Sequence, residues 1–495
     1  MNKLIKNELT KIFHKKAIYI VLAITIAFMI LNAVMTKVFF ENSIISYGND
    51  DVEFYKEQLS LLDKNNPADK DMYIMFKTDL EVAELSRKYD ENSWQRYIIS
   101  EEGNDVIQYM VETENTAKYE EAKKEYDHFI EKLNSGNWKA FAQEQLDEVN
   151  AQIKEMEESK ILEKNPTTQN GNEQQIMQRL KDQKQELEWR LEKDIAYGIS
   201  NKNQILDQWI LGKQQLIGYE EQEKEKPLTY NEKYEKKNIE ELVALSEYAI
   251  INDTEDKIEL SEFNNRYNLA SSADSDLIDS FYIYTIFITI VMVIIAGTIV
   301  SEEFNKGTIK LLLVRPYKRI KILFAKFITC LIVLAIVYAV VVLAQFVVGG
   351  CFNGFSDYTS KVVIYNFNTN TVDEIGTFKY LLLSGVSILP ELILIMTLAF
   401  SLSAIFVNSP IAIALPLLGI MGADIINQLA YNFEKAKFLM YFVTPNWDLR
   451  IFLFGKLPQF EPISLPFSAV ICLIYFIIMI FASVLVFKKK EIKNI

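Results

Sequence analysis

The stretch FYIYTIFITIVMVIIAGTIV, residues 281–300, contains no charged side chain. A bilayer core is about 30 Å thick, so a helix needs roughly 20 mostly apolar residues to cross it. Further runs of this kind lie at Ala17–Thr36, Phe327–Val348, Tyr380–Val407, Pro410–Leu429 and Pro466–Phe487. One such run could be a buried core helix, but six in one chain predict an integral membrane protein.

The arrangement of these runs predicts an all-α protein with six transmembrane helices and a large, mostly helical extracytoplasmic domain between the first two. The predicted spans are 17–40, 280–300, 323–349, 380–407, 410–429 and 466–487. The predicted cytoplasmic segments are 1–16, 301–322 and a basic tail at 488–495, and the outer segments are 41–279, 350–379 and 430–465. We expect short re-entrant or interfacial helices in the last of these, because it mixes aromatic residues and proline with few charges.

Charge predicts the orientation of the spans. Residues 41–279 contain 54 acidic and 29 basic residues, whereas the rest of the chain contains 12 and 23. Basic residues are enriched in short cytoplasmic loops, so we expect both termini in the cytoplasm. The outer domain has no cysteine, which suits a bacterial cell membrane, because many extracytoplasmic domains of other organisms depend on disulfides.

The outer domain has helical periodicity. Apolar residues recur at helical spacing in two stretches, at Leu146, Val149, Ile153 and Met156 and again at Met177, Leu180, Leu187 and Leu191. A turn signal, Asn165-Pro166 to Asn170-Gly171, separates them, so we predict an antiparallel helical hairpin. Gly218–Asn238 is predicted as a loop or a frayed helix end. The acidity of the domain is either a solvated surface or a recognition surface for a cationic peptide.

Sequence motifs for catalysis are missing. The chain has no G-x-x-x-x-G-K-[ST] phosphate loop, and neither histidine, His14 nor His128, has a Cys or His partner at metal spacing. We therefore predict that the chain is not an enzyme by itself, with no catalytic residue, metal site, cofactor or nucleic-acid partner.

Three polar residues in or near the spans are candidates for a translocation path, namely Glu391, Gln345 and Asp424. The run around Glu391 is long for one straight helix. Either an interfacial or re-entrant helix at 380–389 precedes a span that starts near Pro390, which places Glu391 near the outer surface, or one kinked helix holds Glu391 at depth. Asp424 lies at the outer end of its span, where simple interface polarity also explains it.

The segment between spans two and three, SEEFNKGTIKLLLVRPYKRIK (residues 301–321), has six basic residues and two glutamates. An amphipathic helix at 301–314 that ends before Pro316 is predicted. The segment is either an ordinary basic loop or a lever on which a cytosolic partner pushes.

The order Glu303-x-x-x-Gly307-Thr308, Leu312, Pro316-x-x-Arg319 and Lys326 resembles the signature of ABC-2 type transporter permeases. The resemblance covers about 1–40 and 280–495, and it implies an elbow helix at 1–16 and a coupling helix that docks on a separate ATPase. The residues that it implies for this contact are Glu302, Glu303, Gly307, Thr308, Leu312, Arg315, Pro316 and Arg319.

The resemblance implies a permease subunit of a bacterial exporter for a lipophilic or amphipathic substrate, such as an antimicrobial peptide in export, immunity or resistance. The expected partners are ATPase subunits that bind ATP and Mg, a second identical or related permease, and the bilayer. The long insertion at 41–279 departs from many members and also resembles the phage-infection-protein group. A non-transporting receptor or sensor therefore stays open, as does an ion exporter that uses Glu391.

Overall fold

The computed structural model describes the chain except for residues 36–51, 64–65, 67, 91–92, 159–168, 199, 255–266, 269–271, 310–316, 360, 433, 457, 459–462 and 491–495. The chain forms two units. The first, called the membrane unit, consists of Met1–Asn42, Leu228–Glu241 and Lys257–Ile495. The second, called the insertion unit, consists of Ser43–Pro227 and Leu242–Asp256.

The described helices of the first half of the chain are α1 (Asn2–Phe13), α2 (Lys16–Met35), α3 (Val52–Ser60), α4 (Lys70–Ser86), α5 (Trp94–Ile98), α6 (Asn104–Glu112), α7 (Tyr119–Asn134), α8 (Trp138–Glu158), α9 (Gln169–Glu192), α10 (Asn201–Glu225) and α11 (Tyr230–Ile251). The second half contains β1 (Tyr267–Asn268), α12 (Ser272–Thr298), α13 (Ser301–Asn305), α14 (Arg319–Asn353), β2 (Lys361–Asn366), β3 (Thr371–Gly376), α15 (Thr377–Ser387), α16 (Leu389–Phe406), α17 (Ser409–Asn432) and α18 (Leu465–Lys489).

The membrane unit is built around α12. Among the described residues, six helical segments are long and apolar enough to span a membrane, as the sequence predicts. Four of them lie in α2, α14, α17 and α18, one combines α12 with α13, and one combines α15 with α16. The segment Tyr284–Asn305 is 72% buried and Ile18–Met35 is 17% buried, so α12 forms the centre of this unit. α12 packs against α14, α16 and α17, and α18 covers α16. The protein is therefore an all-α membrane protein with a small added sheet.

The predicted fourth span is divided in two. α15 and α16 meet at Ile388, and Pro390 lies in the first turn of α16, where its missing N–H costs no helical hydrogen bond. Glu391 lies in the first turn of α16. Ile388 keeps a helical backbone, with φ −85° and ψ −15°, and Thr377–Phe406 form one apolar segment, so both alternatives for Glu391 stay predictions.

The segment 350–379, predicted as a loop, contains an antiparallel hairpin. Val362 on β2 pairs with Ile375 on β3, and the short strand β1 pairs with the other edge of β2. Val362 is fully buried, and Asn370 adopts a positive φ of 53° in the turn. The consecutive β-branched residues Val362, Val363 and Ile364, next to an Asn-rich turn, favour this structure over a loop. In 430–465, where we expected short helices, the structure has 3₁₀ segments at Glu434–Tyr441 and Leu449–Gly455.

The insertion unit contains the predicted hairpin. α8 packs against α9, and Leu146, Val149, Leu180 and Leu187 are buried in one core. Residues 165–168 of the predicted turn lie outside the described residues. The prediction for Gly218–Asn238 is wrong for most of the segment: α10 continues to Glu225 and α11 begins at Tyr230, so only a short turn with Pro227 separates two helices.

Candidate functional site

Lys326 lies about two turns inside the third apolar helix, α14. Its side chain is 1% exposed. The ammonium donates to Glu8 Oε2 at 2.7 Å and to the backbone oxygen of Ile299 at 3.0 Å, and it lies 3.4 Å from Glu303 Oε1. A buried ammonium requires a carboxylate and hydrogen-bond acceptors, and Lys326 obtains both from α1 and from the end of span two.

Lys11 completes the arrangement. Its ammonium lies 2.6 Å from Glu303 Oε1 and 3.2 Å from Glu8 Oε1, and the Thr308 hydroxyl also donates to Glu303. Burial lowers the pKa of Lys11, but hydrogen bonding and the charges of the two carboxylates outweigh burial and raise it. We call Glu8, Lys11, Glu303 and Lys326 the ion-pair cluster. Two positive and two negative groups make it neutral.

Helix α1 is amphipathic in a way that explains its place in the cluster. Leu4, Glu8 and Ile12 are buried and recur every four residues, so they share one face. Ile12 packs into the core of the membrane unit, and Glu8, on the same face of the helix, pairs with Lys326. A second pair lies at the edge: Lys15 Nζ is 2.5 Å from Glu302 Oε2.

The structure changes the roles expected of Glu303 and Arg319. Both are predicted contributors to an ATPase contact, yet Glu303 is only 8% exposed and points to Lys11 and Lys326. Arg319 donates to the backbone oxygens of Lys490 and Lys488, which end α18. Glu303 therefore holds α1 and Arg319 holds the last span. Glu302, with a side chain one-third exposed, keeps the position of a surface contact.

Gly307 shapes the turn after α13. Its φ is +69°, a conformation that L side chains rarely adopt, and no atom of the described residues lies within 4 Å of the position that a Cβ would take. Leu312, Arg315 and Pro316 of the predicted contact lie outside the described residues.

Serines close the same end of the spans. Ser301 begins α13, and the first N–H groups of a helix have no partner within it; its backbone N–H donates to Ser403 Oγ of α16 at 3.0 Å. Ser301 Oγ also lies 2.7 Å from Ser409 Oγ at the start of α17. The beginning of the 301–308 segment is thus bonded to spans four and five as well as to α1 and span three.

The predicted path residues are separated. Glu391 lines a cavity at the opposite end of the spans. Gln345 is buried on α14, which contributes no described residue to the lining of that cavity. Asp424 lies on α17, but its side chain is outside the described residues. In the described part of the chain, no three His, Cys, Asp or Glu side chains form a group that could hold a metal ion.

Sequence reasoning missed the roles of Glu8, Lys11 and Lys326. A signal was present, because a lysine inside an apolar run requires a carboxylate partner. Glu8 is the one acidic residue of the N-terminal basic stretch, and it lies three residues before Lys11. The pairing itself depends on the tertiary fold.

The fold and the cluster define a class: an integral membrane protein whose N-terminal helix is fastened to spans two and three by buried ion pairs. The chain belongs to the family described as a protein of unknown function, DUF2705, which matches residues 242–493. The uncharacterized protein YhcI of Bacillus subtilis (strain 168) is 31% identical over 212 residues, which make up 43% of this chain and 66% of the relative. The match thus spans just under two thirds of that relative's length.

The uncharacterized membrane protein YdbK of the same strain is 30% identical over 202 residues, or 41% of this chain and 76% of the relative. No solved structure matches the chain.

Proposed function

We propose that the chain is the permease subunit of a bacterial ABC-2 type exporter, whose ATP and Mg are bound by separate ATPase subunits. The observation that carries this proposal is the attachment of the 301–308 segment. Glu303 pairs with Lys11 and Lys326, Glu302 pairs with Lys15, and Ser301 bonds to Ser403. A cytosolic protein that pushes this segment moves α1 and four spans together.

The proposed complex has both termini in the cytoplasm and a second permease copy, identical or related. Apolar faces on α2, α17 and α18 remain exposed within one chain, and lipid or a second copy would cover them. An amphipathic substrate, such as a cationic peptide, suits a path between two such subunits. Rigid attachment of the 301–308 segment is what mechanical coupling requires, because a mobile loop would absorb the displacement.

The first test is purification of the full chain from mild detergent, followed by mass spectrometry of what accompanies it. We expect a stoichiometric soluble protein with a phosphate-binding loop. An intact, monodisperse chain that repeatedly purifies without an ATPase would contradict the proposal. It would favour a receptor or sensor whose helical insertion unit, with its own core around α8 and α9, binds the ligand.

Exchanging the charges of an ion pair tests whether Glu302 serves to attach the 301–308 segment to α1 or contacts the ATPase directly. Glu302→Lys should reduce ATPase stimulation by the permease several-fold, because it breaks the Lys15–Glu302 pair and places two like charges together. Glu302 also pairs with Lys306 at 3.0 Å, so Lys15→Glu and Lys306→Glu in the same chain restore both pairs with reversed signs. Recovery in this triple variant supports attachment to α1. Failure to recover, with the fold intact, indicates that Glu302 contacts the ATPase itself.

A further inference from the structure

The membrane unit contains a cavity of about 200 Å³ beside the ion-pair cluster. The junction of α1 and α2 lines one side, and the last two turns of α12 together with Ile299 line the other. Apart from Lys15 and Thr298, the lining side chains are isoleucine and valine. The Thr298 hydroxyl donates to the backbone oxygen of Ile294 at 2.8 Å, so Lys15 supplies the charge of this lining. The cavity is therefore an apolar slot with a cationic group at its edge.

The size of the cavity restricts what fills it. Drug-sized ligands occupy roughly 300–1,000 Å³, so a volume of about 200 Å³ suits a narrow chain of methylene groups instead. Ile20 and Ile24 of α2 are more than half exposed, and in a membrane protein such an apolar face contacts lipid. Apolar walls that face an empty space lose van der Waals contacts. A lipid acyl chain from the same bilayer is the occupant that these walls favour.

The charged groups at the edge of the cavity have a positive sum. Lys15 Nζ lies 2.5 Å from Glu302 Oε2, and Lys306 Nζ lies 3.0 Å from Glu302 Oε1, so two ammonium groups share one carboxylate. Lys16 follows Lys15 directly, is exposed and has no partner among the described residues. It also begins α2, where the positive end of the helix dipole favours an anion. The neighbouring ion-pair cluster is neutral and does not offset this charge.

We propose that the cavity binds one acyl chain of an anionic phospholipid, whose phosphate lies beside Lys15 and Lys16. The acyl chain fills the slot between α2 and α12, and it contacts Ile299, whose backbone oxygen accepts a hydrogen bond from Lys326. This inference goes beyond the proposed exporter function, because lipid binding requires neither an ATPase nor transport.

The test is photolabelling of the purified full chain in phosphatidylcholine nanodiscs. The probe is phosphatidylglycerol with a diazirine in one acyl chain, and the matched neutral probe is phosphatidylcholine with the same chain. Mass spectrometry measures labelling of peptides that contain residues 12–21 and 291–299, relative to the lipid-facing residues 470–478 of α18. We expect phosphatidylglycerol to label the cavity peptides about fivefold more than phosphatidylcholine, because one basic residue near a membrane surface favours an anionic lipid by about this factor.

Two double variants identify the groups that recognise the phosphate. Lys16→Gln with Lys306→Gln leaves Lys15 and Glu302 as a neutral pair, so the preference for phosphatidylglycerol should fall close to one. Loss of the Lys306–Glu302 pair costs little stability, because the lysine side chain is 66% exposed. Lys3→Gln with Lys6→Gln, two exposed lysines in the first half of α1, removes the same total charge away from the cavity. This control should keep the preference.

A second pair of variants tests the slot itself. Ile294→Trp places a larger side chain in the cavity and should reduce labelling of the cavity peptides by both lipids several-fold. Ile286→Trp, two turns away on α12, half exposed and outside the lining of this cavity, is the matched control and should change neither. Thermal unfolding in detergent checks that both variants fold.

Equal labelling of the cavity peptides by the two lipids overturns the proposal, and so does an equal loss of preference in the two double variants, which would indicate a diffuse surface charge. Unchanged labelling of Ile294→Trp, with the fold intact, shows that no acyl chain enters the cavity. Because the experiment uses the chain alone, specific lipid labelling without a co-purifying ATPase would remove the exporter function and leave this inference standing. A co-purifying ATPase without specific labelling would have the opposite meaning.

Discussion

Lys326 shows how one buried charge organises three separate segments of the chain. Its ammonium has acceptors from α1, from Ile299 just after α12 and from Glu303 on α13. Replacement of a whole buried ion pair by apolar residues can be neutral, but loss of one partner leaves an uncompensated charge. Within the cluster, the sensitivity to substitution therefore follows burial: Lys326 is 1% exposed and Lys11 is 49% exposed.

Lys326→Met should lower the free energy of unfolding of the full chain by about 3–5 kcal/mol, because Glu8 and Glu303 then share only Lys11. Lys11→Met is the control and should cost about 0–1 kcal/mol, since this lysine is half exposed. Thermal unfolding in detergent measures both. Adding Glu8→Gln to Lys326→Met should recover part of the loss, because it removes one uncompensated charge. Equal effects of the two lysine substitutions would contradict the cluster.

At the scale of elements, the segment after α12 is a short helix that is bonded to α16 through Ser301 and to α1 through Glu303. α12 ends at Thr298, α13 covers Ser301–Asn305, and Gly307 turns the chain with a positive φ. The Thr308 hydroxyl then donates back to Glu303. The turn places residue 308 against the cluster, so backbone strain at Gly307 should affect the attachment directly.

Gly307→Ala should destabilise this turn by about 1 kcal/mol, because a Cβ there meets no neighbour among the described residues and the cost comes from the left-handed backbone. Gly307→Asn should cost less, since asparagine tolerates this conformation. Hydrogen exchange of peptides covering 301–309 reports the local opening. Gly218→Ala, within α10, provides the opposite case and should stabilise its helix by about 0.5–1 kcal/mol. A loss at Gly218 equal to that at Gly307 would contradict the backbone argument.

At the scale of the whole molecule, both units contain buried charges. In the membrane unit they include Glu8, Glu303 and Lys326 of the ion-pair cluster and, outside it, Glu241. In the insertion unit Arg190 is 2% exposed, and its guanidinium pairs with Glu186. It also donates to Asn203 Oδ1 at 2.5 Å and lies 4.3 Å over the ring of Tyr197. Asp207 is partly buried nearby, and burial together with the charges of Glu186 and Glu101, opposed by Arg190, raises its pKa to about 6.

Asp207→Asn should make the stability of the insertion unit less dependent on pH. The folded-state pKa of Asp207 lies above the unfolded value, so the folded state binds more protons between about pH 4 and 6, and its stability falls as pH rises through 6. At pH 8 the variant should be more stable than the wild type by about 1–2 kcal/mol, after allowing for solvent screening of a partly exposed group. At pH 4 the difference should vanish. Hydrogen exchange of α10 at both pH values measures it, and a difference that is constant with pH would refute the role of Asp207.

Prediction from sequence succeeded where local pattern determines structure. Uncharged runs gave the apolar helices, Pro390 marked the break at Ile388, and the spacing of Leu180 and Leu187 gave the α9 face of the hairpin. It failed where distant residues meet. No periodicity reveals that Glu8 faces Lys326, because that contact exists only after α1 packs against α14. The β2–β3 hairpin is a different failure, since its run of β-branched residues and its Asn-rich turn are a local signal that the sequence prediction did not use.

The Lys326–Glu8 pair joins residues that are 318 positions apart. The ribosome therefore completes α1, the first span and the whole insertion unit before it makes the residue that neutralises Glu8 in the folded protein. Until α14 is inserted, we expect Glu8 to remain at the water interface, because burial without Lys326 would leave its carboxylate with only the half-exposed Lys11 of the same helix as a partner. Docking of the N-terminal helix is thus a late step of biogenesis. Nascent chains truncated before residue 326 should leave this helix accessible to protease.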